Sequence, residues 1–460
     1  MLSFRRLSLI ALLAPLSLQA AGPKVSEFKL DNGLKILVQE DHRAPVAVSQ
    51  VWYKVGASYE YGGITGISHM LEHMMFKGTE KHPPGEFSRI ISANGGNENA
   101  FTGQDYTAYF QTLEKSRLPV SFELEADRMR HLRLLPDEFI KEQQVVLEER
   151  RMRTDDQPRA KLAEHFDALA YSNSPYKNPV IGWPDDVSRL TVDDLKAWYQ
   201  RWYAPNNATL VVVGDVDPQD VYRLARKFFG PLKPSTLPVM KPQGEVEQLG
   251  IRRMTVRVPA KLPFLVMGYK VPVLKSATEE WEPYALEVAA GILDGGNSAR
   301  LESRLVRGQQ IAASVGAGYD LYSRLPSLFM LEGTPVQGKT LQFMEKALLA
   351  EVRKLQDEPV TAGELDRVKA QVAASKVYER DSIFYQAMQL GTAETVGLSW
   401  KTVEDYVDKV NAVTPEQIRK VARKYLVEDY LSVGYLEPLP IPEGAVAPED
   451  RAPMGGGHVR

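Results

Sequence analysis

A helix–strand unit occurs twice in this chain, 223 residues apart, and that recurrence limits the possible folds more than any other feature. The first copy, "TVDDLKAWYQRWYAPNNATLVVVGDV", starts with Thr191 as helix N-cap and Asp194 three residues on, and ends in an apolar run. The second, "TPEQIRKVARKYLVEDYLSVGYL", starts with Thr414, has Pro415 at the first helical position and closes a capping box with Gln417. Sliding one copy onto the other matches Leu195 with Ile418, Trp202 with Tyr425 and Leu210 with Val433. Each copy closes a half that opens with alternating apolar and polar residues. In the first half these are "EFKLDNGLKILVQE", with a hairpin signal at Asn32-Gly33, and "VAVSQVWYKV"; in the second they are "MTVRVP" and "LVMGYKV". A helix-rich stretch runs from about Ser116 to Tyr171.

This pattern predicts a duplicated α+β fold, with two similar domains that each carry an antiparallel-rich sheet packed by helices. The first spans 22–233 and the second 253–437. Between them, 234–252 lies in the proline-rich "GPLKPSTLPVMKPQGEVEQLG" and reads as a linker. The Pro/Gly-rich tail 438–460 reads as disordered, which makes His458 a solvated residue and not a ligand.

Residues 1–20 have Arg5 and Arg6 at the start, an apolar run from Leu7 to Leu18 and a small residue at Ala20. That is the layout of a secretory signal peptide, removed after Ala20 or Ala21; an uncleaved anchor is the alternative. The expectation is an exported, periplasmic protein with no membrane span once the signal is gone. With no cysteine, the chain has neither a lipid attachment site nor a disulfide. Removing residues 1–20 takes two arginines and no acid, leaving 54 basic against 59 acidic residues. A mildly acidic chain has no electrostatic footprint for nucleic acid.

The chemistry sits in "GISHMLEHMMFKGT", residues 66–79. His69 and His73 are four apart, so on a helix they project from one face and can converge on one ion. Imidazole nitrogen suits Zn²⁺, and a catalytic zinc takes three protein ligands and keeps one position open. Glu72, on the flank of that face, is placed to act as general base; this order is the inverted zincin motif. A third ligand is available in "DEFIKEQQVVLEERRMRTDD", where Glu142 and Glu149 are seven apart on one face with Val145 and Val146. An inward carboxylate must be paired or bound to metal. Glu149 is expected as third ligand, Glu142 with Glu72 among the catalytic residues as a supporting carboxylate, and Glu148 as solvated. Solvent-facing helices with ordinary polar residues would show the same spacings.

Taken together, His69-x-x-Glu72-His73, Glu149 in "EQQVVLEE" and "GGNENAFTGQDYTAYFQTL" from Gly95 resemble the pitrilysin and mitochondrial processing peptidase family. The resemblance implies one Zn²⁺ per chain, a clamshell of two domains around a chamber, and zinc-dependent cleavage of peptides or unfolded segments. It also implies that Asn99, Ala100 and Phe101 lie on an edge strand receiving the substrate, and it makes Asp105 a partner for a ligand histidine.

The second half departs from the family pattern. The glycine-rich loop survives as "LDGGNSARLESRL", but the arginine and tyrosine that follow it in self-sufficient members fall on Val306 and Ala313. A shifted loop using Arg307 with Tyr319 or Tyr322 is the alternative. The missing pair implies a zinc-bearing subunit whose partner is a homologous chain lacking H-x-x-E-H but keeping the arginine and tyrosine. A non-catalytic peptide-binding or scaffold subunit is the rival reading, and a purely structural zinc site a weaker one, since such sites have four protein ligands.

Overall fold

In the computed structural model, which describes residues 24–241 and 243–442, the strands form two sheets. The leader 1–20 and the tail beyond residue 442, with His458, lie outside the described residues.

The first sheet comprises β1 (Val25–Lys29), β2 (Lys35–Glu40), β3 (Val46–Tyr53), β4 (Asn97–Thr102), β5 (Thr107–Glu114) and β6 (Ala208–Gly214). Its spatial order is β1-β2-β6-β3-β5-β4. The second comprises β7 (Arg252–Pro259), β8 (Phe264–Val271), β9 (Ala312–Gly318), β10 (Ser327–Pro335) and β11 (Leu431–Leu439), in the order β7-β11-β8-β10-β9. Without β1, the two orders correspond strand for strand. In each sheet the last strand in the chain lies parallel to the strand that opens the repeat and antiparallel to the next. Thr209 opposes Lys35 and Ser432 opposes Arg252; Thr209 and Ser432 keep the 223-residue offset of the helix–strand unit, while their partners on the opening strands are 217 apart. Both capping boxes are formed, at Thr191–Asp194 and Thr414–Gln417.

Alternation in "VAVSQVWYKV" implies one solvated face, yet all of β3 after Val46 is buried. The cause is an exchange of helices. Ile383–Thr395, from the second half, packs on β3 and β6; Pro158–Ala170, from the first half, packs on β7, β8 and β11. Trp52 and Phe101 meet Ala387 and Leu390 in one apolar cluster. Position 391 must be glycine there, because a Cβ would come within 2.1 Å of the Trp52 ring. Burying one such side chain stabilises by about 1.5–3 kcal/mol, so the exchange ties the halves firmly.

The second half ends later than its sequence indicates. Pro438 and Leu439, read as tail, still pair with Val258 and Pro259 of β7. Proline is tolerated because β8 pairs with β11 only as far as Leu436, leaving an edge where a missing N–H costs no ladder bond.

Candidate metal centre

The helix Ile67–Met74 has only eight residues, too few to persist alone, so tertiary contacts hold it. It starts from Gly66 at φ +84°, and no N-cap side chain serves it. The Glu60 carboxylate, from six residues upstream, takes that role: it accepts the Gly66 N–H at 2.7 Å and the Ser68 N–H at 2.8 Å. Ile67, Met70, Leu71 and Met74 enter the first core. His69, Glu72 and His73 are equally buried and meet the helix Pro136–Arg150.

That second helix buries Phe139, Glu142, Val146 and Glu149. Nε2 of His73 lies 3.2 Å from a Glu149 oxygen, and Nε2 of His69 lies 3.8 Å from the same oxygen. The candidate ligand atoms of His69, His73 and Glu149 all fall within 4.8 Å of one another. Tetrahedral zinc with bonds of about 2.1 Å separates its donors by about 3.4 Å, so these three residues fit that ion. Burial pushes the Glu149 carboxyl up, but His73, His69 and Arg153 outweigh it and hold the group down at about 2. It is therefore a carboxylate at neutral pH, as a ligand must be.

Three further contacts shape the site. Glu142 places one oxygen 3.1 Å from Nδ1 of His73 and the other 2.6 Å from Nζ of Lys77. Thr102, at the end of β4, donates its hydroxyl to Glu72 at 2.6 Å. Lys77 and Thr102 are absent from the sequence reading. Lys77 sits four residues after His73, and Thr102 lies inside the segment from Gly95 that carries the resemblance.

Several expectations need correction. Val145 is 45% exposed while Val146 is fully buried. The inward face centres on Phe139, Glu142, Val146 and Glu149, which leaves Val145 roughly 80° to one side at 100° per residue. Glu142, expected among the catalytic residues, contacts the His73 ring and Lys77. Asp105 turns away from the histidines and bonds Ser58, Tyr176 and Arg324 of the second half. Asn99, Ala100 and Phe101 do lie on β4, which pairs with β5 and ends the sheet. The side chains of Ala100 and Phe101 are core, so only the backbone there faces the open edge. Glu148 is exposed and pairs with Arg151.

In the second half, Val306 lies in the π-helical turn Glu302–Gly308 and packs against the core, while Ala313 is exposed on β9. Arg307 donates to the Asn297 carbonyl, and the Tyr319 hydroxyl donates to the Pro272 carbonyl.

A peptidase fold in which one repeat bears an inverted zinc-binding motif is what the sheets and the site define. The chain belongs to peptidase family M16: residues 35–183 match the family described as insulinase (peptidase family M16), and residues 189–372 match the peptidase M16 inactive domain. It is 36% identical over 383 residues to the zinc protease PqqE of Helicobacter pylori, covering 81% of this chain and 84% of that protein. It also resembles the crystal structure of a protease from Helicobacter pylori, with a TM-score of 0.85 and 31% identity over 90% of this chain and all of the other. The periplasmic protease PqqL of Escherichia coli shares the fold, with a TM-score of 0.76 and 18% identity; the match covers 90% of this chain and 47% of that one.

Proposed function

We propose that this chain is a zinc-dependent endopeptidase that hydrolyses peptides or unfolded protein segments, and that it is the zinc-bearing subunit of a two-chain enzyme. The observation that carries the reading is the convergence of His69, His73 and Glu149 beside a Glu72 carboxylate held by Thr102. His69, His73 and Glu149 would hold one Zn²⁺, which would supply Lewis acidity toward a water and a peptide carbonyl. Glu72 takes up the proton of the attacking water at its carboxylate and passes it to the leaving amine. The open edge of β4, at Asn99, Ala100 and Phe101, binds an extended peptide through main-chain hydrogen bonds, while pockets select side chains.

The two-chain reading draws support from the second half. Neither Val306 nor Ala313 offers a polar side chain; Arg307 is engaged by the Asn297 carbonyl and Tyr319 by the Pro272 carbonyl, which leaves the Tyr322 hydroxyl as the unengaged member of the shifted-loop alternative. Donors that stabilise an oxyanion are typically worth a few kcal/mol, so a chain without them turns over slowly. The partner is a homologous subunit with the arginine and tyrosine, which completes the chamber. The leader-like residues 1–20 and the likeness to a periplasmic protease support export to the periplasm. No helix among the described residues is long and apolar enough to cross a membrane.

A non-catalytic subunit is the second reading. It is favoured by the match of residues 189–372 to an inactive domain; the sequence has no histidine between His165 and His458. The intact first half opposes it. Turnover per bound zinc, measured for the isolated chain and after adding the partner, decides between them. We expect slow cleavage alone and recovery that saturates at one to one. High activity from a pure monomer or homodimer contradicts the two-chain reading, and zinc binding with no turnover beside any partner revives the scaffold.

A further inference from the structure

The contacts of Asp105 connect the second half to the metal helix. Arg324, in the segment between β9 and β10, reaches across the seam. Its backbone N–H donates to Asp105 at 2.9 Å and its Nε to the other carboxylate oxygen at 3.2 Å. Its Nη2 donates to the Ser58 carbonyl at 3.0 Å and to the Ser58 hydroxyl at 2.8 Å. The guanidinium also lies 4.3 Å from the centre of the Tyr59 ring. Ser58 in turn donates to Asp105 at 2.6 Å, and Tyr176 bonds both Asp105 and the Leu325 N–H. Asp105 is 4% exposed and Ser58 3%, against 17% for the Arg324 side chain, so the carboxylate and hydroxyl that receive the guanidinium are shielded from water.

The residue after Tyr59 is Glu60, which caps the metal helix. Glu60 is buried, and its two oxygens hold the N–H groups of Gly66 and Ser68, the latter next to His69. The turn Ala57–Tyr59 thus lies between a guanidinium supplied by the second half and the carboxylate that starts the helix. A short helix without a cap of its own depends on that carboxylate for its axis and register.

We infer that Arg324 is a positioning residue for the metal centre: by gripping Ser58 and Tyr59 it sets Glu60, and through Glu60 the helix bearing His69, Glu72 and His73. The second half, which lacks ligands of its own, thereby acts on the metal site within one chain. This rests on the zinc reading above.

The test is zinc affinity of the full chain by chelator competition, for Arg324→Ala, Glu60→Gln, the double variant and Lys35→Ala. Lys35, the first residue of β2, pairs with Glu394 across the same seam at 2.7 Å and with Glu27, so it controls for loosened halves. We expect Arg324→Ala to weaken zinc binding by about tenfold or more, the range typical for groups supporting a ligand. Lys35→Ala should leave affinity unchanged. If Arg324 acts through Glu60, the double variant loses no more affinity than Glu60→Gln alone. Additive losses, an equal loss in Lys35→Ala, or wild-type affinity in Arg324→Ala each overturn the inference. Wild-type protein that binds no zinc overturns the metal reading instead. Unfolding curves accompany each variant; should Arg324→Ala fail to fold, Arg324→Lys, which keeps the charge but not the fork, replaces it with the same criteria.

Discussion

One oxygen of Glu142 lies 3.1 Å from Nδ1 of His73, while Nε2 of the same ring lies 3.2 Å from Glu149. A single imidazole therefore joins two carboxylates. The Glu142 oxygen fixes the proton on Nδ1 and turns the Nε2 lone pair toward the metal position. Burial pushes the Glu142 carboxyl up, but His73 and Lys77 prevail and hold it at about 2, so it stays an acceptor. Replacing Glu142 by Ala should weaken zinc binding by about 10–100-fold, and Lys77→Ala should weaken it less. Chelator competition measures both; unchanged affinity in Glu142→Ala contradicts this orientation role.

Glu149 and its neighbour should behave differently. Glu149→Gln removes a charged ligand and should lower zinc content and turnover together. Glu148→Gln breaks only an exposed, solvent-screened pair with Arg151, so both readouts should stay close to wild type. Zinc content and turnover on matched samples check this, and equal loss in the two variants would show that the helix face is misassigned.

The parts of this site that follow chain periodicity were legible in the sequence. Spacing alone puts His69 with His73 and Glu142 with Glu149, and the repeated capping boxes point to the duplicated sheet. What stayed hidden depends on contacts between segments far apart in the chain. Alternation in β3 says nothing of a covering helix 330 or more residues away, and Asp105 shows no local sign of Arg324. Lys77 and Thr102 are ordinary residues until the fold brings them to carboxylates.

Glu287, on the helix Trp281–Leu293 of the second half, provides a pH dependence. Burial raises its carboxyl from 4.5 to about 7, against the Tyr406 hydroxyl, which donates to it at 2.7 Å. A raised folded-state value means that its contribution to stability is complete below about 4.5 and is lost as pH rises through about 7. Between pH 5 and pH 8 the wild type should lose about 2 kcal/mol more stability than Glu287→Gln, which keeps an acceptor for Tyr406 but does not titrate. Urea unfolding at the two pH values measures the difference; parallel behaviour of the two proteins contradicts the assignment.

The central claim is that Glu72 moves the proton at a zinc centre built by His69, His73 and Glu149. Its most direct test is Glu72→Gln, with zinc content and peptide turnover determined on one sample in the presence of the partner subunit. An amide keeps the size of the side chain and a hydrogen-bond acceptor for Thr102 but takes no proton. The account predicts one zinc per chain, as in the wild type, with turnover lowered by about 10²–10⁴-fold. A variant that retains most of its activity, with zinc bound, contradicts it.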